Sequence, residues 1–368
     1  MARATPPSPA AAAPNSIWRR RICDLGLRIE GSPLAPAVGR LYRELAARGL
    51  QRFQPLCYLT DEWGCPSGEP VIGIPFYLAD RRLARCEQAC NDLEDGREIL
   101  MYLRHEAGHA FNYAYRLYRR PEWRRRFGPY RRPYRDHYRP VAFSREYVRH
   151  IAGWYAQKHP DEDFAETFAV WLTPRSRWRE KYRHWPALAK LEYVERLAAE
   201  VGARAPLRRR GRADLTVREM KMTVGDFYRA VLAERPAALA DPAMDADLTD
   251  IFPALRGSRG HRPAAQLVRE NRKALTDKAA YWTGVRRPAV KQLVEAIEHR
   301  LRALELRALR RREPEHLTEL AAFVTAMAMQ ALSPPPAAAP APPSAPGRRV
   351  AGRGAKPARR IRPEGSAA

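Results

Sequence analysis

Two histidines four residues apart, with a glutamate directly after the first, occur at His105-Glu106-Ala107-Gly108-His109. On a helix, positions four apart share a face, so both imidazoles can grip one Zn2+. Glu106 is then placed to act as general base on a water that the metal activates. Further along, Glu162 and Glu166 stand at the same helical spacing. A catalytic zinc needs a third protein ligand and groups behind the ligands that orient them. We read Glu162 as the ligand and Glu166 as the acceptor for the free ring nitrogen of a ligating histidine; spacing alone also permits the reverse. The bare motif is a modest signal, because two exposed histidines on an amphipathic helix match it equally. That bland alternative leaves the acidic segment as a coincidence.

The elements that must position these residues are legible. From Arg97 to Tyr118, apolar residues recur at Ile99, Leu100, Leu103, Ala107, Ala110, Phe111 and Ala114, a helical period with one apolar face. Asp95-Gly96 suits the start, and Pro121 bars continuation. Gly108 costs a helix about 1 kcal/mol relative to Ala, a cost with a reason if another backbone or a substrate comes close there. In the second segment Pro160 suits the first helical position and Asp161, Glu162 and Asp163 suit the first turn, while Thr173-Pro174 ends the helix. Residues 52–60 and 70–78 read as strands. Pro75 marks the second as an edge strand, and it is our candidate for main-chain pairing with an extended substrate.

With those residues in place, the chain resembles the gluzincin metallopeptidases, in which two His and one Glu bind zinc. Glu162 follows His109 by 53 positions, a separation more similar to that of the anthrax lethal factor-like peptidases than to that of thermolysin. In that group a Tyr seven residues before the ligand Glu faces the metal and assists the oxyanion or leaving group. The resemblance therefore implies such a role for Tyr155, which stands seven residues before Glu162. Gly153-Trp154-Tyr155-Ala156 through Leu172, with Ile74-Pro75-Phe76-Tyr77-Leu78 upstream, looks closest to a bacterial family called putative zinc-binding metallo-peptidases, over roughly residues 50–200. Some members carry a zinc ribbon in front; the absence of a paired CxxC here departs from that pattern. The implied activity is hydrolysis of peptide bonds with one Zn2+ per chain on His105, His109 and Glu162, with Glu106 and Tyr155 as catalytic groups and a peptide or protein as substrate. The motif does not separate a peptide from another amide.

The 368 residues allow two or three domains. The expected fold class is α+β: a disordered leader over 1–15, a zincin-like domain over 16–200, a basic linker over 206–216, a helical domain over 217–332 and a disordered Pro/Ala/Arg-rich tail over 333–368. In the helical part the clearest periodicity runs from Pro288 to Arg312, and Glu315–Leu332 is its expected hairpin partner. No apolar run is long enough to span a bilayer, and the N-terminus lacks the apolar core of an export signal, which predicts a cytoplasmic protein. The five cysteines are then expected as free thiols, and Cys57, Cys65, Cys86 and Cys90 match no usual zinc spacing.

A net charge of +25 attracts anions with or without a dedicated site. Residues 116–140 hold ten Arg against Glu122 and Asp136, with Tyr and Trp interleaved. A solvated excursion between the two halves of the site is the plain reading. A basic wall that selects acidic substrates, or a weak contact with nucleic acid or an anionic surface, is the sharper one. The tail, with seven basic residues against Glu364, invites the same contact. The alternative function is thus a non-enzymatic basic binding protein on a zinc-stabilised metallopeptidase scaffold. His137 and His150 read as surface or hydrogen-bonded histidines rather than as a fourth ligand.

Overall fold

The computed structural model describes residues 16–135, 138–233, 244–253 and 260–330. The expected leader and tail, and His137, lie outside them. The chain is mainly helical with a small share of sheet, compatible with the α+β expectation. Helix α1 (Ala35–Ala47) leads into strand β1 (Leu56–Thr60), which pairs in parallel with β2 (Val71–Pro75), Leu56 opposite Val71. Then follow α2 (Arg81–Cys90), α3 (Gly96–Ala114), α4 (Pro121–Phe127), α5 (Pro160–Leu172), α6 (Trp178–Lys181), α7 (Ala187–Val201) and α8 (Val224–Ala233). After α9 (Asp245–Ile251), the short strands β3 (His261–Pro263) and β4 (Arg307–Leu309) pair in antiparallel fashion around α10 (Ala264–Thr283) and α11 (Arg287–Ala303), and α12 (Glu313–Gln330) follows.

Helix α3 starts where Asp95 accepts hydrogen bonds from the amides of Arg97 and Glu98, while Glu98 accepts in return from the Asp95 amide at 2.9 Å. This reciprocal capping satisfies donors that a helix start leaves orphaned. Helix α5 begins with Pro160 in its first turn beside three acidic residues, and every residue from Pro160 to Leu172 is buried. The two helices cross at Gly108. A β-carbon there would stand 2.8 Å from the Ala165 Cα and 3.0 Å from its carbonyl oxygen, so only glycine lets the backbones come this close. Phe111 packs on Phe168 beside the crossing, with ring centres 5.1 Å apart. Outer contacts hold the pair. Arg104 of α3 makes a two-pronged, buried ion pair to Glu44 of α1 (2.7 and 2.8 Å). Lys190 of α7 reaches Asp163 of α5 at 2.7 Å.

Several expectations change. The first strand begins at Leu56 rather than at residue 52. The second strand is shorter than 70–78, because Phe76–Ala79 turns into a 3-10 helix. Nor does β2 offer an open edge: all five of its residues are buried, and Gly73 exchanges both backbone hydrogen bonds with Gly64. The stretch at Trp63–Cys65 therefore lies between β2 and the cleft described below. The long periodic run ends at Ala303, before the β4 turn, and α11 packs first against α10, a helix that the periodicity did not single out.

Buried apolar residues form two clusters. The first runs from Ile22 to Tyr228 and takes in Val217, Met220 and Val224. The segment 206–216 is fastened to it: the Arg208 amide donates to the Ala114 carbonyl at 2.9 Å and its guanidinium to the Gly68 carbonyl at 2.8 Å. The second runs from Met244 to Ala328. Where they meet, Trp154 lies against Gly284, and Asp92 receives Arg272 (3.0 Å) and Lys291 (3.2 Å). Burial opposes ionisation of Asp92, yet the two cations hold it down at about 2.

Candidate metal centre

The crossing of α3 and α5 brings three side-chain atoms to one point. His105 Nε2 lies 3.0 Å from Glu162 Oε2, His109 Nε2 lies 3.2 Å from the same oxygen, and the two Nε2 atoms are 3.1 Å apart. Among the described residues, His105, His109 and Glu162 are the group of His, Cys, Asp and Glu side chains close enough together to hold a metal ion. All three are buried.

The hydrogen bonds behind this triangle decide its chemistry. His105 Nδ1 faces Glu166 Oε1 at 3.0 Å, and His109 Nδ1 faces Asp161 Oδ2 at 3.0 Å. An ionised carboxylate can only accept, so each Nδ1 carries the hydrogen and each Nε2 presents a lone pair. Two imidazole lone pairs and a carboxylate oxygen thus converge with no donor hydrogen between them, which is stable only around a cation. Four carboxylates (Glu106, Asp161, Glu162 and Glu166) against two imidazoles make the same demand. Zinc fits: tetrahedral ligands at about 2.0–2.1 Å stand about 3.3–3.4 Å apart, close to the triangle's edges. Protons answer the demand where no metal does. Burial disfavours charge on His105, but its hydrogen bonds to Glu162 and Glu166 outweigh that and raise its pKa to about 9. His109 rises likewise against its burial, through Asp161 and Glu162. Glu162 falls well below the usual carboxylate range, because the imidazoles overcome its desolvation.

Each supporting group is itself held. Glu166 also accepts from the amides of His150 (3.1 Å) and Ile151 (3.0 Å). Asp161 accepts from Asn112 at 2.6 Å and from the Tyr113 hydroxyl. The outer oxygen of Glu162, Oε1, accepts from the Tyr134 hydroxyl at 2.5 Å, and Tyr134 in turn lies 3.2 Å from the Tyr155 hydroxyl. Because Tyr134 donates to a carboxylate, it must accept from Tyr155. The Tyr155 proton is thereby engaged, although its ring lies near His105, 5.8 Å between centres.

Glu106 differs from the other three carboxylates: among the described residues no hydrogen bond holds it. Burial raises its pKa, offset in part by the two imidazoles. It lines a cleft of about 920 Å3 together with the histidines, Trp63, Cys65, Tyr155 and Glu162. Pro288 of α11 reaches the same cleft.

The sequence-predicted residues His105, Glu106, His109, Tyr155, Glu162 and Glu166 therefore meet in one place. Asp161, Asn112, Tyr113 and Tyr134 were missed. Asn112 and Tyr113 stand three and four residues after His109, so their face was legible; Asp161 passed as a helix-start residue; nothing in the sequence singled out Tyr134 among sixteen tyrosines. His150 makes a hydrogen bond from its ring to the Met101 carbonyl at 3.0 Å, and burial lowers its pKa, as suits a neutral hydrogen-bonded histidine. The five cysteines are free thiols.

Residues 71–182 match the model of a family described as putative zinc-binding metallo-peptidase. The match begins at β2 and ends just beyond α6, so it spans both site helices and the excursion between them. No match was found among curated proteins or among solved structures.

Proposed function

We propose that the chain is a zinc-dependent metallopeptidase, with a zincin-like domain that carries the cleft and a C-terminal helical domain that contributes to its wall. The observation that carries this reading is the convergence of three lone-pair donors beside the unbonded carboxylate of Glu106, in an open cleft. Structural zinc sites are closed by four protein ligands, whereas catalytic sites leave a position free. Three donors facing a cleft support the catalytic kind.

In this reading His105, His109 and Glu162 hold the ion, and Glu166, Asp161 and Tyr134 hold those ligands in turn. When bound, zinc supplies acidity to a water and polarises the scissile carbonyl. Glu106 takes the proton of the attacking water and delivers it to the leaving amine; its raised pKa brings it closer to the working pH of such a shuttle. Tyr155 donates to the developing oxyanion once its hydroxyl leaves Tyr134.

Purified protein is expected to carry about one zinc per chain and to cleave members of a peptide library, with chelation abolishing cleavage and added zinc restoring it. Folded protein without zinc, or cleavage that survives chelation, would end this reading. Replacement of groups behind metal ligands typically costs about 10–100-fold in affinity. Tyr134→Phe removes the hydrogen bond to the outer oxygen of Glu162, so zinc affinity should fall by about that range in competition with a chelating dye. Unchanged affinity would show that Glu162 needs no such support.

A further inference from the structure

We infer that the arginine-lined groove beside the cleft binds an acidic stretch of the substrate polypeptide and so selects acidic substrates. This rests on the reading of the cleft as a peptidase site. The groove has a volume of about 960 Å3 and is lined by residues 118–121, by Arg124 and Arg125, and by residues 129–131. Tyr130 also lines the cleft, so the two adjoin across that residue. Arg119 of the groove lies over the Tyr118 ring, 5.8 Å from its centre, and the other charges divide into two kinds. Arg120 is taken by Glu200 at 2.7 and 2.9 Å. Arg124, Arg125 and Arg131 are exposed, and among the described residues no carboxylate lies within ion-pair distance of them. Arg132 and Lys158 line the cleft itself, beside the carboxylates of the metal centre. Cations clustered without counter-charges repel one another, and an anionic partner relieves that repulsion.

Two observations favour a polypeptide over a nucleic acid. The groove adjoins the cleft at Tyr130, so an extended chain that lies in one can reach the other. Its tyrosines are also committed: Tyr118 and Tyr130 stack on each other at 4.3 Å, and Tyr130 stands edge-on to Trp123. They offer bases no stacking platform of the kind single-strand binders use.

The test is binding, read by fluorescence anisotropy on full-length, zinc-loaded Glu106→Gln protein at about 0.15 M salt. The probes are a short labelled peptide of alternating Glu and Gly, its Gln counterpart, and a single-stranded RNA of equal length. The Glu peptide should bind about tenfold tighter than the Gln peptide. R124E/R131E should erase that preference. R310E/R311E, which reverses as much charge outside the groove, should keep it. Melting temperature and zinc content certify that each variant is folded. Equal binding of the two peptides, tighter binding of the RNA, or equal loss in both charge-reversed variants would overturn the inference. Because the readout is binding rather than turnover, loss of the preference is distinct from failure of the peptidase reading, which shows as absent cleavage in the native chain.

Discussion

Glu106→Gln should keep its zinc and its fold while kcat falls by roughly 10²–10⁴-fold, the usual contribution of a positioned acid–base group. The separation of the two effects follows from the site's wiring. Glu106 is the carboxylate that neither touches the ligand triangle nor holds a histidine, so its loss leaves each ligand's partner in place. The amide is nearly isosteric but cannot take a proton. KM should move little, because Glu106 acts on the water rather than on the substrate. The measurement pairs metal analysis with kinetics on a peptide that the native protein cleaves. Equal turnover in the variant would remove Glu106 from the reaction. Loss of zinc from the variant would instead assign it to the scaffold.

Gly108→Ala should destabilise the protein and weaken zinc binding together. Two terms compete. Alanine favours a helix over glycine by about 1 kcal/mol. Against this, the new β-carbon would stand 2.8 Å from Ala165 Cα, 3.0 Å from its carbonyl and 3.2 Å from Phe168 Cβ. Two of those neighbours are backbone atoms in the middle of a buried helix and cannot step aside, and overpacking of this kind costs about 1–3 kcal/mol. The clash should win, and relief requires α3 and α5 to part. The histidines ride on one helix and Glu162 on the other, so parting them opens the ligand triangle. Gly96→Ala at the start of α3 is the control, since nothing lies within 4 Å of its would-be β-carbon. Its stability should hold or rise. A Gly108→Ala protein that melts no lower than the Gly96→Ala protein and binds zinc as tightly as the native one would show that the crossing tolerates a side chain.

How far this site was readable before folding depends on the range of the interactions. The helical run around His105 and the acidic run around Glu162 depend on local periodicity, capping and proline, which act within a few residues; both helices appear within a few residues of their expected bounds. The strand near Ile74 was readable as apolar and short, but its role was not. Whether an edge is open depends on what lies beside it, and Gly64 lies there. Likewise α10 and α11 form one helical pair, although only α11 carried a clean period, because α10 interleaves its buried positions with charged ones.

The residue types and spacings at 105–109 and 162–166 were sufficient to specify a metal-binding chemistry and the faces that would present it, since helix geometry alone turns a four-residue spacing into a shared face. Which atom meets which was settled by packing. Gly108 against Ala165 sets the distance between the helices, and that distance puts Glu162 among the Nε2 atoms and Glu166 behind His105. Asp161 behind His109 and Tyr134 on the outer oxygen of Glu162 depend on the same packing. Those pairings join residues 28 to 61 positions apart, and nothing in local sequence encodes a contact at such a separation.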